Sequence, residues 1–286
     1  MTEGPPNDDS LGAIAADPWV RGEVLGVEIT GEDALSFLQG QLSQDVASLA
    51  VGEARRSFLL EPDGTLGYLL WVARLGESAF VMYGSTADAT GIEARLRRFK
   101  LRVKVELDVR ELDLLWLGPA SSRPAPDGMA QLAATEVPGR RFVGPHRAEA
   151  LESPLGGLYD AIALQSGSIE PIDAAGCRTP HELGAHLVAE ATSFTKGCYT
   201  GQELVARVDA RGAAAPFRLA PFHSDGTIPS AAIVMAGDDE VGVVQRSLNV
   251  PEDGATVGFV RIARRAVIDE PQILVANGIA LSLNLA

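Results

Sequence analysis

The chain has 286 residues, of which 46% are hydrophobic, 22% charged and 6% aromatic, a composition typical of a soluble globular protein and not of a disordered or fibrous one. The formal net charge of −14 repels phosphate backbones, so we expect no nucleic-acid partner. Two cysteines, Cys177 and Cys198, are too few for a disulfide framework and suit a reducing compartment. No apolar run reaches transmembrane length and residues 1–17 lack a signal-peptide pattern. We therefore expect a cytoplasmic protein with a flexible N-terminal lead-in and no membrane partner.

Strand and helix patterns alternate through the first part of the chain. Residues 20–29 alternate like a strand, and residues 31–42 carry apolar side chains at helical spacing. Residues 57–74 predict two strands joined by a P-D-G turn, and a further strand leads into an arginine-rich helix at about 86–99. Two more strands are expected within residues 102–118. Hairpins that neighbour helices in this way favour an α+β fold over a doubly wound one.

The C-terminal part of the chain differs in character. Residues 119–128 have the Pro, Ser and Gly content of a loop. Short strands separated by Gly, Asp and Pro then follow at 241–247, 255–263 and 266–269. We predict an α+β region over residues 18–212 and a small β-barrel over residues 213–286.

One stretch of this acidic chain is strongly basic. It places six cations within ten residues: Arg95, Arg97, Arg98, Lys100, Arg102 and Lys104. Such a run can be a solvated face, or it can bind an anionic ligand, since the guanidinium of arginine matches the shape of a carboxylate. The sequence leaves both interpretations open.

Residues 194–207, F-T-K-G-C-Y-T-G-Q-E-L-V-A-R, hold the strongest local signals. Thr200 and Glu203 form a T-x-x-E capping-box pattern before an apolar stripe, which predicts a helix that begins near Thr200. Cys198 would then lie just outside a positive helix end, with Lys196 two residues before it, and both would favour the thiolate. In the alternative interpretation Cys198 is a small buried residue in a glycine turn.

This segment resembles a known family. The string K-G-C-Y-T-G-Q-E-x-x-A-R, followed by R-G at 211–212, is similar to the signature of the YgfZ-type folate-binding proteins, relatives of the glycine-cleavage T-protein in the GcvT-like family. G-E-D-A-L-S-F-L-Q-G-Q-L-S-Q-D-V resembles the family's N-terminal helix and the loop after it. L-L-E-P-D-G resembles the hairpin that follows, and R-L-R-R-F-K-L-R-V-K-V-E the helix and strand that close the first half.

The resemblance implies an α+β fold in which three subdomains, ferredoxin-like mixed sheets with helices and a small C-terminal β-barrel, form a GcvT/YgfZ-like ring. Its central channel would admit tetrahydrofolate or a one-carbon folate derivative. By the same resemblance Cys198 would be the reactive group with Lys196 beside it, and T-P-H-E-L-G would give the pterin-binding role to Glu182. The other expected cofactor-binding residues are Arg98, Tyr199, Gln202 and Glu203.

Two departures from the family pattern bear on activity. Where true aminomethyltransferases carry an acidic pair after the hairpin turn, this chain has Tyr68 and Leu69, so glycine-cleavage chemistry is not expected. Where relatives read R-x-E-A-G, this chain reads A-L-Q-S-G, so Ala163 and Gln165 replace a charged pair.

By resemblance we expect a folate-binding protein that supports assembly or repair of iron–sulfur enzymes, with iron–sulfur proteins or their assembly factors as partners. One cysteine cannot hold a cluster, which wants about four thiolates, so any cluster would belong to the partner. Two alternatives are a folate-dependent one-carbon transferase or demethylase, and a non-catalytic interaction module with a decayed folate channel.

Two further features predict structural roles. H-E-L-G-A-H at 181–186 resembles a zincin motif, but its histidines are spaced i and i+5 instead of i and i+4, so we expect no metal site. Cys177, in A-A-G-C-R-T-P, has neither a lysine nor a helix start beside it and is expected to be structural.

Overall fold

A computed structural model describes residues 19–146, 158–210, 215–250, 254–268 and 273–284. The expected lead-in, the R-G pair at 211–212 and the expected boundary after residue 212 lie outside these ranges. In the described residues, the expected α+β class and the small C-terminal β-barrel are confirmed.

Seven strands form the first barrel. They are β1 (Trp19–Thr30), β2 (Glu53–Leu60), β3 (Leu66–Arg74), β4 (Ala79–Tyr83), β5 (Glu106–Leu117), β6 (Ala130–Leu132) and β7 (Arg140–Pro145). The sheet closes in the order β1-β4-β3-β2-β6-β7-β5, and every neighbouring pair is antiparallel except β2 and β6. The sequence patterns identified most of these strands but did not specify their closure into one sheet.

The two strands expected within residues 102–118 are one continuous strand. The strand β5 pairs with β1 at every position from Trp19↔Leu117 to Thr30↔Glu106. Because β1 offers a partner along its whole length, the charged residues in the middle of β5 do not interrupt it.

Two helices cover one side of the first barrel, α1 (Ala34–Gln41) and α2 (Ala89–Arg97). Their apolar residues fall on one face, as helical spacing requires. Leu38 of α1 and Ile92 and Leu96 of α2 are fully buried against strand residues such as Ile29 and Leu70. This core fixes the C-terminal end of α1 on the barrel.

The middle region consists of α3 (Leu158–Gln165), α4 (Ala185–Ala191), α5 (Gln202–Ala210) and the 3₁₀ turns Pro171–Ala174 and Pro180–Leu183. It shares one core with both barrels. Phe58 and Leu69 of the first barrel pack with Leu187 and Val205 of the middle region and with Phe259 of the second barrel. The position of the middle region is therefore set by contacts on two sides.

Six strands form the second barrel: β8 (Phe217–Ser224), β9 (Ile233–Ala236), β10 (Asp239–Asn249), β11 (Thr256–Ala263), β12 (Leu274–Ala276) and β13 (Ile279–Leu283). They close in the order β10-β11-β8-β13-β12-β9. The strand expected at 266–269 is wrong for its described residues, which lie in a short helix, α6 (Arg265–Ile268). The ladder between β11 and β8 ends at the Phe217↔Ala263 pair, because β8 begins at Phe217. The residues of α6 therefore lie beyond the end of this ladder.

Buried ion pairs join the middle region to both barrels. On one side Arg141 donates to Glu170 at 2.9 Å, and on the other Arg246 donates two hydrogen bonds to Asp173, at 2.6 and 3.0 Å. Separating either pair would leave a buried charge without its partner, which is costly.

None of the helices in the described part of the chain has the length and apolar character that a membrane span requires.

Candidate functional site

Two segments that are far apart in sequence dock on each other. The first, the Cys198 segment, comprises residues 193–201, and the second, the α1 loop, comprises residues 39–45 at the C-terminal end of α1. The Thr200 backbone N–H donates to the Gly40 carbonyl oxygen at 3.1 Å. Both segments lie in strings that resemble the YgfZ-type family, so two separate motifs meet in one contact.

Backbone and side-chain hydrogen bonds fix the start of the Cys198 segment. The Ser193 N–H donates to the Ser43 carbonyl oxygen at 2.9 Å, and the buried Ser43 hydroxyl donates to the Ala191 carbonyl oxygen at 2.6 Å. The Gln44 side-chain amide donates to the Glu190 carbonyl oxygen at 2.7 Å. The α1 loop therefore holds both the end of α4 and the segment that follows it.

The Lys196 ammonium binds the centre of the α1 loop. It donates to the carbonyl oxygens of Gln39, Leu42 and Gln44 at 2.7, 2.6 and 2.8 Å. An ammonium group has three donors, and all of them are used here, on one carbonyl oxygen from the last turn of α1 and two from residues that follow the helix. Burial lowers the pKa of Lys196 to about 8, with Asp45 opposing the shift, and the three carbonyl oxygens favour its charged form.

Cys198 is exposed on the segment that Lys196 holds. Within the described ranges, no hydrogen bond joins the Lys196 ammonium to the Cys198 sulfur, because carbonyl oxygens take its three donors. The structure thus gives Lys196 a positioning role. Stabilisation of a Cys198 thiolate by Lys196 stays a prediction.

A glycine contact fixes the end of the Cys198 segment. Gly201 has a φ of +81°, and a Cβ atom there would lie 2.5 Å from the Glu61 carbonyl oxygen and 2.7 Å from the Leu60 Cβ. Gly64, in the turn between β2 and β3, has a φ of +85° and lies against Leu204 of α5. The hairpin turn and the start of α5 are therefore in backbone contact, which residues with a Cβ would prevent.

The helix after Cys198 begins two residues later than expected, at Gln202. The capping box predicted for Thr200 and Glu203 is wrong. The Thr200 hydroxyl lies 3.5 Å from the Gly40 carbonyl oxygen, and Glu203 pairs with Arg207 one turn along the helix. The Thr200 N–H and hydroxyl group are directed at the α1 loop, so they do not cap α5.

Several buried polar atoms of the middle region have no hydrogen-bond partner among the described residues. They are Thr179 Oγ1, His181 Nε2, Glu190 Oε1, Thr192 Oγ1 and the Tyr199 hydroxyl. Burial raises the pKa of Tyr199 to about 12, so its hydroxyl is a neutral donor. Buried polar groups are normally paired, so each of these atoms is a place where a ligand or ordered water could complete the hydrogen bonding.

Glu182 lies in the junction between the middle region and the second barrel, with 2% of its surface exposed. Its Oε1 accepts from the Arg178 backbone N–H at 3.0 Å, and its Oε2 accepts from Arg261 Nε at 2.7 Å. The Arg261 guanidinium also stacks on the Phe217 ring at 4.1 Å. Both oxygens thus have a protein partner, which leaves their second lone pairs for any ligand.

Ion pairs with nearby acidic residues neutralise much of the basic run. Arg97 pairs with Glu93 on the exposed side of α2, and Lys104 pairs with Glu32 at 2.7 Å. Arg98 is 61% exposed and pairs with a carboxylate of the first barrel. Most of the run is a solvated face, as one of the two interpretations predicted.

The departures from the family pattern are visible in the structure. Tyr68 has its hydroxyl against Gly91 of α2, and burial, Asp88 and Glu61 raise its pKa. Leu69 is buried in the shared core. Neither position supplies a carboxylate to this part of β3.

The charged pair that relatives carry has no counterpart in α3. Ala163 is fully buried and Gln165 is exposed. The two side chains therefore face different surroundings.

The two cysteines differ in surroundings. Cys177 is 7% exposed, and burial and then Glu182 raise its pKa to about 12. Cys198 is exposed, and both thiols are free. The structural role expected for Cys177 agrees with its position.

Two surface cavities lie away from the Cys198 segment. One, of about 530 Å³, is lined by second-barrel residues that include Phe217. The other, of about 540 Å³, lies beside His146, where Glu23, Asp113 and His146 bring carboxylate and imidazole atoms within 4.8 Å of one another. Asp113 is already bound by Arg21 at 2.9 and 3.0 Å, so this cluster is charge-compensated by the protein.

The α1 loop was missed as part of the site. Its string Q-G-Q-L-S-Q-D predicted a helix end and a loop, and its role as the partner of Lys196 depends on a tertiary contact. The signal available was its resemblance to a family motif.

Comparisons with known proteins agree with this architecture. The tRNA-modifying protein YgfZ of Photorhabdus laumondii is 29% identical over 258 residues, which cover 80% of this chain and 74% of that protein. An uncharacterized protein of Haemophilus influenzae is 28% identical over 199 residues, covering 65% of this chain and 66% of that protein. No family model matches the chain.

A solved structure shares the fold. The glycine cleavage system aminomethyltransferase T from Bartonella henselae superposes with a TM-score of 0.71 and 19% identity, over 96% of this chain and 86% of that one. The sequence relatives and the shared fold together support a YgfZ/GcvT-like family for this chain.

Gly201→Ala tests the contact between the hairpin and α5. We expect it to lower the free energy of unfolding by roughly 2–4 kcal/mol, because the new Cβ meets backbone at a positive φ. Gly197→Ala is the control in the same segment, since a Cβ there would have no neighbour within 4 Å. Urea unfolding followed by fluorescence compares the two; equal stability of both variants would contradict the contact.

The two thiols should differ in reactivity. In the native protein at pH 7.5 we expect Ellman's reagent to modify one thiol quickly, and none quickly in Cys198→Ala, because the Cys177 thiol is buried and protonated. Cys177→Ala should keep the fast reaction, and both thiols should react in denaturant. A fast native reaction in Cys198→Ala would show that Cys177 is accessible.

Proposed function

We propose that this protein binds tetrahydrofolate, or a one-carbon derivative of it, and presents Cys198 beside the bound cofactor. The observation that carries the proposal is the docked Cys198 segment, which exposes a thiol on a backbone held at both ends and in the middle. A reactive group that is fixed in this way can meet a ligand without paying an ordering cost at each encounter.

Among the expected cofactor-binding residues, Tyr199 fits the role best. Its buried hydroxyl has no partner in the described chain, so a polar edge of a pterin could accept from it. Gln202 is half-buried at the start of α5, and its side chain accepts from the Tyr199 N–H at 3.4 Å. Glu182 would share its carboxylate between the pterin and Arg261, and Glu203 would first have to leave Arg207.

The same site argues against aminomethyl transfer. The family resemblance places the acid of that reaction after the hairpin turn, where Tyr68 and Leu69 offer no carboxylate. We therefore favour a binding and supporting role over the alternative of a folate-dependent transferase or demethylase.

We further propose that the protein supports assembly or repair of iron–sulfur enzymes. One exposed thiol cannot hold a cluster, so Cys198 would contact a partner protein that carries the cluster. The Photorhabdus relative is named a tRNA-modifying protein. A net charge of −14 disfavours direct contact with tRNA, so we propose that a partner enzyme, and not this chain, would touch the nucleic acid.

Calorimetric titration with tetrahydrofolate under reducing conditions tests the cofactor. We expect saturable binding by the wild type and an affinity at least about fivefold lower in Tyr199→Phe, which loses a hydrogen bond worth about 1 kcal/mol or more. Cys198→Ala should bind nearly as the wild type does. Because the Tyr199 hydroxyl has no hydrogen-bond partner among the described residues, Tyr199→Phe should not be less stable, so weaker binding would not reflect unfolding.

No heat at millimolar tetrahydrofolate would contradict folate binding and favour the interaction module. The partner role has its own test in bacteria that lack a relative of this protein. Rescue of iron–sulfur enzyme activity by the wild type and not by Cys198→Ala is expected. Equal rescue by both would contradict a role for the thiol.

A further inference from the structure

We propose that Arg95 and Arg98 form a carboxylate-binding subsite. Its seat, the position between the two guanidinium groups, is occupied by the Glu61 side chain in the free protein. Arg95 is unusual in the basic run because only 2% of its side chain is exposed. Its guanidinium stacks on the Phe99 ring at 4.2 Å, and its Nη2 donates to the Leu60 carbonyl oxygen at 2.5 Å. The barrel thus holds a buried cation in a fixed orientation.

Two nitrogen atoms of Arg95, Nε and Nη1, make no hydrogen bond in the described chain, and Nε has only an ion-pair contact with Glu61 at 3.3 Å. Burial lowers the pKa of Arg95, although Glu61 opposes that shift, and the group stays charged at physiological pH. A buried guanidinium with unsatisfied donors is costly: Nη1 has lost water without gaining an acceptor, and Nε has only a long ion-pair contact with Glu61. An additional acceptor at this place would therefore be stabilised strongly.

Glu61 fills the seat poorly. Its Oε2 lies 3.3 Å from Arg95 Nε and 3.3 Å from Arg98 Nη2, so one oxygen serves both guanidinium groups. Charge-assisted pairs of this kind normally lie at about 2.7–2.9 Å and are often bidentate. Glu61 is 36% exposed in its side chain, so it can turn towards solvent and leave the seat to a better-fitting carboxylate.

The other pairs of the basic run differ in this respect. The cation of the Arg97–Glu93 pair is 52% exposed, and Lys104 and Glu32 are 74% and 72% exposed. Such pairs are solvated and contribute little. Among the pairs described for this run, only that of Glu61 covers a buried cation.

The seat adjoins the Cys198 segment. The backbone carbonyl of Glu61 lies against Gly201, while its side chain reaches Arg95 and Arg98. A ligand anchored by a carboxylate in this seat would therefore lie beside the hairpin turn that contacts Gly201. For the proposed tetrahydrofolate, the carboxylates would be those of its glutamate tail; this identification rests on the proposed function, whereas the subsite does not.

Tri-γ-glutamate is the probe, because it carries carboxylates without a pterin. We would follow the arginine Nε–H signals by NMR during titration at constant ionic strength. We expect Glu61→Gln to bind the probe at least about fivefold more tightly than the wild type, since the competing internal carboxylate is gone. Arg98→Met, which keeps Glu61, should bind at least about fivefold more weakly than the wild type.

Glu93→Gln is the matched control, because it removes the same charge from a pair on α2 whose cation, Arg97, is 52% exposed and not buried. It should bind the probe as the wild type does. No binding by a folded Glu61→Gln protein, equal affinity in Glu61→Gln and wild type, or the same gain in Glu93→Gln would each overturn the subsite. Inorganic phosphate in place of the probe should bind Glu61→Gln more weakly; equal or tighter binding would overturn the assignment to carboxylates.

A tetrahydrofolate titration of the same variants separates the two proposals. If Glu61→Gln gains affinity for tri-γ-glutamate while no variant binds tetrahydrofolate, the subsite stands and the proposed cofactor fails. If tetrahydrofolate binds but Glu61→Gln gains affinity for neither ligand, the cofactor stands and the subsite fails.

Discussion

The candidate site depends on one ammonium group that lies among three backbone carbonyl oxygens. Lys196 is the only side chain of the Cys198 segment that reaches Gln39, Leu42 and Gln44 together in the described structure. A charged donor among carbonyls at a helix end satisfies groups that would otherwise need water. Lys196 belongs to the middle region, whereas the α1 loop packs with the first barrel. These hydrogen bonds therefore fix the Cys198 segment on the first barrel.

The rest of the site follows from this attachment. Thr200 and Ser193 bond to the same loop on either side of Lys196, and Gly201 allows the chain to pass against the hairpin turn. Cys198 is left exposed between these points. The Cys198 thiol is therefore presented on a fixed backbone. The helix expected to begin near Thr200 begins at Gln202.

Much of the fold could be predicted from sequence because local patterns carry it. The alternation in β1, the helical spacing in α1 and the P-D-G turn each report a local preference that the structure keeps. Closure of the first sheet could not be predicted in this way, because it depends on pairings such as β2 with β6 and β1 with β5. The break expected within β5 was wrong for the same reason, since its continuity comes from the partner strand.

The site residues also divide into features that a local sequence pattern indicates and features that depend on tertiary contacts. The motif drew attention to Cys198 and Lys196, yet spacing alone suggested that lysine acts on sulfur, whereas the tertiary contact gives its donors to the α1 loop. Thr200 and Glu203 matched the capping-box pattern, but the Thr200 hydroxyl faces the α1 loop and Glu203 pairs with Arg207. Glu61 carried no sequence signal beyond a turn, and its place over Arg95 follows from the packing of α2 on the hairpin.

Amide hydrogen exchange in wild type and Lys196→Met measures whether Lys196 holds the Cys198 segment on the α1 loop. In the wild type we predict slow exchange for the Ser193 and Thr200 amides, which donate to the α1 loop, and fast exchange for Gly197 and Cys198 between them. Methionine matches the lysine side chain as far as Cε and lacks the ammonium with its three donors, so both protected amides should exchange at least about tenfold faster, while the ladder between β1 and β5 stays unchanged. Exchange at Ser193 and Thr200 that is already as fast as in an open loop, or that does not respond to Lys196→Met, would contradict the account.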